Sequence, residues 1–178
     1  MPKKILLDSK KIEIILSRLV YELIENHKDF HDTVLLGLQP RGVLLIDKIL
    51  EVLKRDHPNI KIKSGILDYT FFRDDFRRSE KTLSASSTKI DFSIENKNVV
   101  LIDDVLFTGR SIKAAMSSID TYGRPKSIEL LVLIDRRFKR EIPIEANYFG
   151  AKIDTFKGDR VRVLWGEKFK DNVIYIES

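Results

Sequence analysis

Three short, nearly unbroken apolar runs limit what this chain can fold into: Thr33-Val-Leu-Leu-Gly-Leu38, Asn98-Val-Val-Leu-Ile-Asp103 and Ser127-Ile-Glu-Leu-Leu-Val-Leu-Ile-Asp135. A strand that faces water on one side alternates apolar with polar residues, whereas one covered on both sides does not. Between these runs the pattern changes period. From Ser9 to Asn26, residues Ile12, Ile15, Leu16, Leu19, Leu23 and Ile24 recur at helical spacing, with Asp8 and Ser9 both suited to cap the start. Gln39-Pro40-Arg41-Gly42 breaks the first run, and a second helical pattern follows from Val43 to Arg55. Lys61 to Tyr69 reads as a further strand. A third helix, from Ser111 to Tyr122, stops at Gly123-Arg-Pro125. Strand, helix and strand in this order predict right-handed βαβ units: an α/β fold with a central, mainly parallel sheet flanked by helices.

Composition narrows the class. The 178 residues are one domain's worth, and 43% hydrophobic with 33% charged residues fits a folded globular chain. Cysteine is absent, which excludes disulfides, thiolate nucleophiles, iron–sulfur clusters and cysteine-type zinc sites. No apolar run approaches the roughly 20 residues that span a bilayer. The amino terminus is basic but has no apolar core of a signal peptide, so a cytoplasmic location is expected. The net charge of +5 suits RNA, phosphorylated metabolites or solubility alone and selects none of them.

Two stretches lie outside the βαβ pattern. Residues 70–98 are polar and aperiodic between two core strands, which predicts a lid over a site. Beyond Asp135, short strands near Tyr148, Val161–Trp165 and Val173–Ile176 predict a small hood over residues 136–178 of the single domain. His27 and His31 sit four apart at a helix end with no third ligand evident, so no metal is expected there.

The string Val99-Val-Leu-Ile-Asp-Asp-Val-Leu-Phe-Thr-Gly-Arg-Ser-Ile112 carries the chemistry. It is a buried strand that emerges with two adjacent carboxylates, Asp103 and Asp104, and then a short loop that opens into a helix. Ligands bind at the carboxyl ends of strands in open α/β sheets. The helix start offers unpaired amides at the positive end of a dipole, a seat for phosphate. Thr108 and Ser111 add hydroxyls, and Gly109 permits close approach. The carboxylates beside that seat are suited to accept hydrogen bonds from sugar hydroxyls.

This string resembles the phosphoribosyl-pyrophosphate motif of type I phosphoribosyltransferases. Nearly the whole chain resembles the pyrimidine-operon regulators that are also uracil phosphoribosyltransferases. Ile5-Leu-Leu-Asp8, Gly37-Leu-Gln-Pro-Arg-Gly42, Phe72-Arg-Asp-Asp75, Asp103–Arg110, Gly123-Arg-Pro125, Val132-Leu-Ile-Asp-Arg136 and Glu141-Ile-Pro-Ile144 carry that match. The resemblance implies transfer of a 5-phosphoribosyl group, with Mg²⁺, from phosphoribosyl pyrophosphate to a nucleobase. Uracil is the base expected, giving UMP and pyrophosphate. It implies that Asp103 and Asp104 hold the ribose hydroxyls and, through the donor and water, the metal. Phe107, Thr108, Gly109, Arg110 and Ser111 would seat the 5′-phosphate, and Gln39, Pro40, Arg41 and Gly42 the pyrophosphate. Arg73 would close over the donor. Asp135, Arg136, Tyr148 and Phe149 would face the base. Purine-type relatives carry Asp where Phe107 stands, which argues against a purine. The alternatives are a UMP-sensing, RNA-binding regulator of pyrimidine genes without efficient catalysis, or a transferase for another base. Arg136-Arg-Phe-Lys-Arg140 is the candidate RNA contact, and a homo-oligomer is expected.

Overall fold

A computed structural model describes residues 3–76, 85–156, 158–166 and 171–177. Its main sheet is parallel throughout, in the order β3-β2-β4-β5-β6: β2 spans Thr33–Leu38, β3 Lys63–Leu67, β4 Asn98–Leu106, β5 Ser127–Arg136 and β6 Tyr148–Ile153. Helix α1 (Ser9–His27) starts at Asp8, whose side chain accepts a hydrogen bond from the Lys11 amide at 2.9 Å. Helices α2 (Arg41–Asp56) and α3 (Arg110–Ile119) follow β2 and β4 directly.

The apolar runs are unbroken because each strand feeds two cores. Leu35, Val100, Ile102, Leu131 and Leu133 pack into one, with the buried faces of α1 and α2. Their neighbours Val34, Leu36, Val99, Leu101, Leu130 and Val132 pack into the other, with Ile112, Ala115 and Ile119 of α3. Alternate side chains thus point to opposite faces, both covered.

The hood differs from the sequence expectation of one unit over residues 136–178. Tyr148–Ile153 forms β6, an edge strand of the main sheet. The small sheet has the antiparallel order β1-β8-β7, and its first strand is the amino-terminal Lys3–Leu7, paired with β8 (Val173–Glu177), which pairs in turn with β7 (Arg160–Leu164). Residues 157, 167–170 and 178 of the expected hood lie outside the described residues.

The expected lid over 70–98 is held at both roots. Asp68 accepts from the amides of Thr70 and Ser86, each at 2.8 Å. Lys89 bridges Ile66, and Ile94 is fully buried, so residues 85–98 belong to the body of the domain. Residues 77–84 of that segment lie outside the described residues. Among the described residues, no helix is long and apolar enough to cross a membrane.

Candidate active site

Three chain crossings meet at the carboxyl edge of the parallel sheet. β2 ends at Leu38, and the Gln39–Pro40 peptide is cis. The Gln39 amide donates to the Leu67 carbonyl at 3.0 Å, tying this turn to β3. Gly42, in the first turn of α2, packs on β4: a Cβ there would lie 2.1 Å from the Ile102 carbonyl oxygen. Only glycine lets α2 begin so close to the strand that carries the acidic pair. Arg41 consequently stands over Asp104, Nη1 to Oδ2 at 3.8 Å.

The acidic pair ends a buried strand. The Asp103 carboxylate accepts the Asp104 amide at 2.9 Å, a short local bond that turns its other lone pairs to the cleft. Burial and the Asp104 charge push the Asp103 carboxyl up to about 8. Burial also raises Asp104, against the pull of Arg41. Two adjacent carboxylates with one facing guanidinium are short of positive charge and hydrogen-bond donors. Sugar hydroxyls and a hard cation supply both.

After Leu106 the chain forms the loop 107–111. Gly109 caps α3 with φ +89°, a left-handed conformation that favours glycine. The loop encloses a cavity of about 110 Å³ that Thr108, Gly109, Ser111 and Asp103 help line, at the positive end of α3. Glu141 and Ile142 fix it from outside, both donating their amides to the Thr108 carbonyl, at 2.9 and 3.0 Å. Arg110 points away from the cavity: its guanidinium pairs with Asp74 and Glu141. Among the expected phosphate-seating residues it therefore serves as a tether for the loop.

These pieces surround one cleft of about 450 Å³, lined by Gln39, Pro40, Arg41, Asp103, Asp104, Phe107 and Ser111 among others. Arg136 closes one side. Its guanidinium stacks on the Phe107 ring at 3.9 Å, and its Nη2 donates to the Thr155 hydroxyl (2.9 Å) and the Asp159 carbonyl (3.0 Å). Asp135, beside it, faces away from the cleft and pairs with Arg140, which also donates to the Phe107 carbonyl.

Three expected placements differ in the structure. Tyr148 and Phe149 begin β6, in register with Leu131 and Val132, so they sit well below the carboxyl edge and do not line the cleft. Tyr148 instead donates to Glu129 at 2.7 Å, near His27, at the amino edge of the sheet. Phe149 packs into the core beneath α3. Arg73 is turned onto Asp75 through two bonds of 2.8 and 2.7 Å and lines a side cavity with Thr108, Arg110 and Ser111. The run Arg136–Arg140 is not a free basic face. Arg136 is buried in the cleft, Arg137 pairs with Asp154, and Arg140 pairs with Asp135.

Among the polar lining of the cleft, sequence reasoning also missed Tyr69, Arg160 and Arg162. Tyr69 is buried, with its hydroxyl raised by burial and by Asp103 and its side chain facing Ser111 and Arg73. The arginines had a signal in the alternation Arg160-Val-Arg-Val-Leu164, a strand with a cationic face.

A parallel α/β sheet with an acidic pair and a phosphate-sized loop at one crossover defines the class of the type I phosphoribosyltransferases. The comparisons agree. Residues 3–168 match the model of the phosphoribosyl transferase domain. A "Bifunctional protein PyrR" of Caldicellulosiruptor bescii is 42% identical over 98% of this chain and 95% of its own length. One of Enterococcus faecalis is 41% identical over 94% of this chain and 93% of its own length. In fold, the chain is similar to a hypoxanthine phosphoribosyltransferase of Staphylococcus aureus, with TM-score 0.67, 22% identity and coverage of 88% of this chain and 80% of that one. The chain belongs to the phosphoribosyltransferase family and, within it, to the family of the bifunctional PyrR proteins.

Proposed function

We propose that this chain transfers the 5-phosphoribosyl group of phosphoribosyl pyrophosphate to uracil, giving UMP and pyrophosphate. The observation that carries this reading is the convergence of Arg41, Asp103–Asp104 and the 107–111 loop on one cleft. In the reaction the C1′–oxygen bond to pyrophosphate breaks, a C1′–nitrogen bond to the base forms, and the ring nitrogen loses its proton.

Each end of the donor has a matching group. The 5′-phosphate fits the 107–111 cavity, where helix-start amides and the Thr108 and Ser111 hydroxyls donate to it. The ribose hydroxyls fit Asp103 and Asp104. Negative charge develops on the departing pyrophosphate, and Arg41 is positioned to stabilise it with charge-assisted bonds. Asp103 and Asp104 also fit magnesium, as hard oxygen ligands that would hold it jointly with donor phosphates and water. When bound, the ion supplies charge neutralisation at the leaving group. Arg73 reaches the donor only by releasing Asp75, which makes the 73–76 segment a gate on the same site.

A panel of bases incubated with donor and Mg²⁺ tests the reading. UMP formation with uracil supports it, and absence of product with every base overturns it. A second reading, a UMP-sensing regulator that binds RNA, is favoured by the word "bifunctional" in the relatives' name. RNA titration at two salt concentrations checks it; weak binding that ignores sequence would exclude it.

A further inference from the structure

Asp68 is a buried carboxylate to which the transfer chemistry gives no task. It follows the last residue of β3, is 9% exposed, and stands beside the cleft residue Tyr69 without lining the cleft itself. Burying a charge is costly unless hydrogen-bond donors surround it, and here they do. Oδ1 accepts the Thr70 amide at 2.8 Å, and Oδ2 accepts the Ser86 amide at 2.8 Å and the Thr70 hydroxyl at 3.2 Å. The backbone of the same residue is engaged as well. Its amide donates to the Thr88 hydroxyl at 3.0 Å, and its carbonyl accepts the Ser118 hydroxyl of α3 at 3.1 Å.

A local turn explains only the bonds to Thr70. Ser86 lies 18 residues further on and Ser118 50. Asp68 therefore joins the end of β3, the chain at Thr70, the chain at Ser86–Thr88, and the helix whose start forms the phosphate seat. From that post the backbone runs to Arg73 without slack. Thr70–Phe72 is one turn of 3-10 helix, the Phe72 amide donates to the Tyr69 carbonyl at 3.0 Å, and the Arg73 amide donates to the Thr70 carbonyl at 3.3 Å. The backbone of Arg73 is thereby set relative to Thr108 and Ser111, with which its side chain lines a cavity.

We propose that Asp68 is a positioning residue for phosphoribosyl transfer: its carboxylate fixes the foot of the 70–76 segment, so that Arg73, once released from Asp75, comes to rest over the donor and keeps water from C1′. This rests on the phosphoribosyltransferase reading above. As pyrophosphate leaves, C1′ becomes electron-poor and open to any nucleophile at its free face. Attack by the base nitrogen gives the nucleotide. Attack by water forms a C1′–oxygen bond instead, the water loses a proton, and the products are ribose 5-phosphate and pyrophosphate. A foot that slips therefore changes which nucleophile wins, not only how fast the donor is consumed.

The test follows UMP and ribose 5-phosphate formed by the full chain from donor, Mg²⁺ and uracil. Asp68→Asn keeps the volume but leaves one acceptor oxygen, and it turns an NH₂ group toward an amide that needs an acceptor, so one of the two attachments comes loose. UMP formation should fall about tenfold, while the share of donor lost as ribose 5-phosphate rises at least about threefold. In an Arg73→Ala background, Asp68→Asn should change that share less than about twofold, because both residues act through the same contact. Thr70→Val, which removes only the hydroxyl bond, should move the share the same way by a smaller step. It carries the test if circular dichroism shows that Asp68→Asn does not fold. An unchanged share in a folded variant, or an undiminished effect of Asp68→Asn in the Arg73→Ala background, overturns the proposal and leaves the parent reading standing. Absence of UMP and of every other nucleotide from the parent chain, whatever the base, overturns that reading as well.

Discussion

Gly42 and Asp103 show how single positions shape this site. At Gly42 a methyl group would meet the Ile102 carbonyl at 2.1 Å, so Gly42→Ala must push α2 away from β4. The expected cost is about 1–3 kcal/mol in urea denaturation, together with weaker donor binding as Arg41 moves. Asp103 acts through charge. Its folded carboxyl is raised to about 8, above that of an unfolded chain, so the folded protein keeps a proton that the unfolded chain releases. Stability therefore falls as pH rises from the ordinary carboxylate range through about 8. Asp103→Asn removes that dependence. It should raise the melting temperature of the ligand-free protein by about 2–4 °C at pH 8, less at pH 5, while donor binding is lost. A variant less stable than the parent at pH 8 contradicts this account. The chemistry of this residue was legible in Asp103-Asp104-x-x-x-Thr108-Gly109, because strand, acidic pair and loop are contiguous in the chain.

Elements bring together what the chain keeps apart, and there the sequence reading was partial. The units β2–α2 and β4–α3 were readable from local period alone. Strand β1 was not read as part of the hood, because its partner β8 lies at the other end of the chain and such pairing leaves no local pattern. Tyr148 and Phe149 were misplaced for a related reason. In a parallel sheet the first residues of β6 lie at the amino edge, opposite the ligand edge. Tyr148→Phe should therefore leave turnover unchanged and cost about 1 kcal/mol of stability through its lost bond to Glu129. A fall in base affinity would restore Tyr148 to the site. The strap made by Arg140 joins β5 to the phosphate loop through Asp135 and the Phe107 carbonyl. Arg140→Met should cost about 2 kcal/mol, because it leaves the buried Asp135 carboxylate unpaired, and adding Asp135→Asn should recover much of that loss. Denaturation of the single and double variants checks the coupling.

At the scale of the molecule, the two edges of the sheet have separate tasks. The amino edge carries a closed polar group of His27, Thr33, Glu129 and Tyr148, bonded to one another. The carboxyl edge carries polar groups whose partners are incomplete: Arg41, the acidic pair and the hood arginines. The positive charge that composition alone could not interpret is spent unevenly. Part of it lines the cleft, and part, at Arg110, Arg137 and Arg140, ties loops to acidic neighbours. The proposed task of this edge is to move a phosphoribosyl group. The most direct test measures nucleotide and pyrophosphate formed from donor, Mg²⁺ and uracil, for the parent chain and for Asp104→Asn. UMP and pyrophosphate are expected in equal amounts, falling at least ~100-fold in a variant that remains folded. No product from the parent chain, or undiminished product from Asp104→Asn, would contradict it.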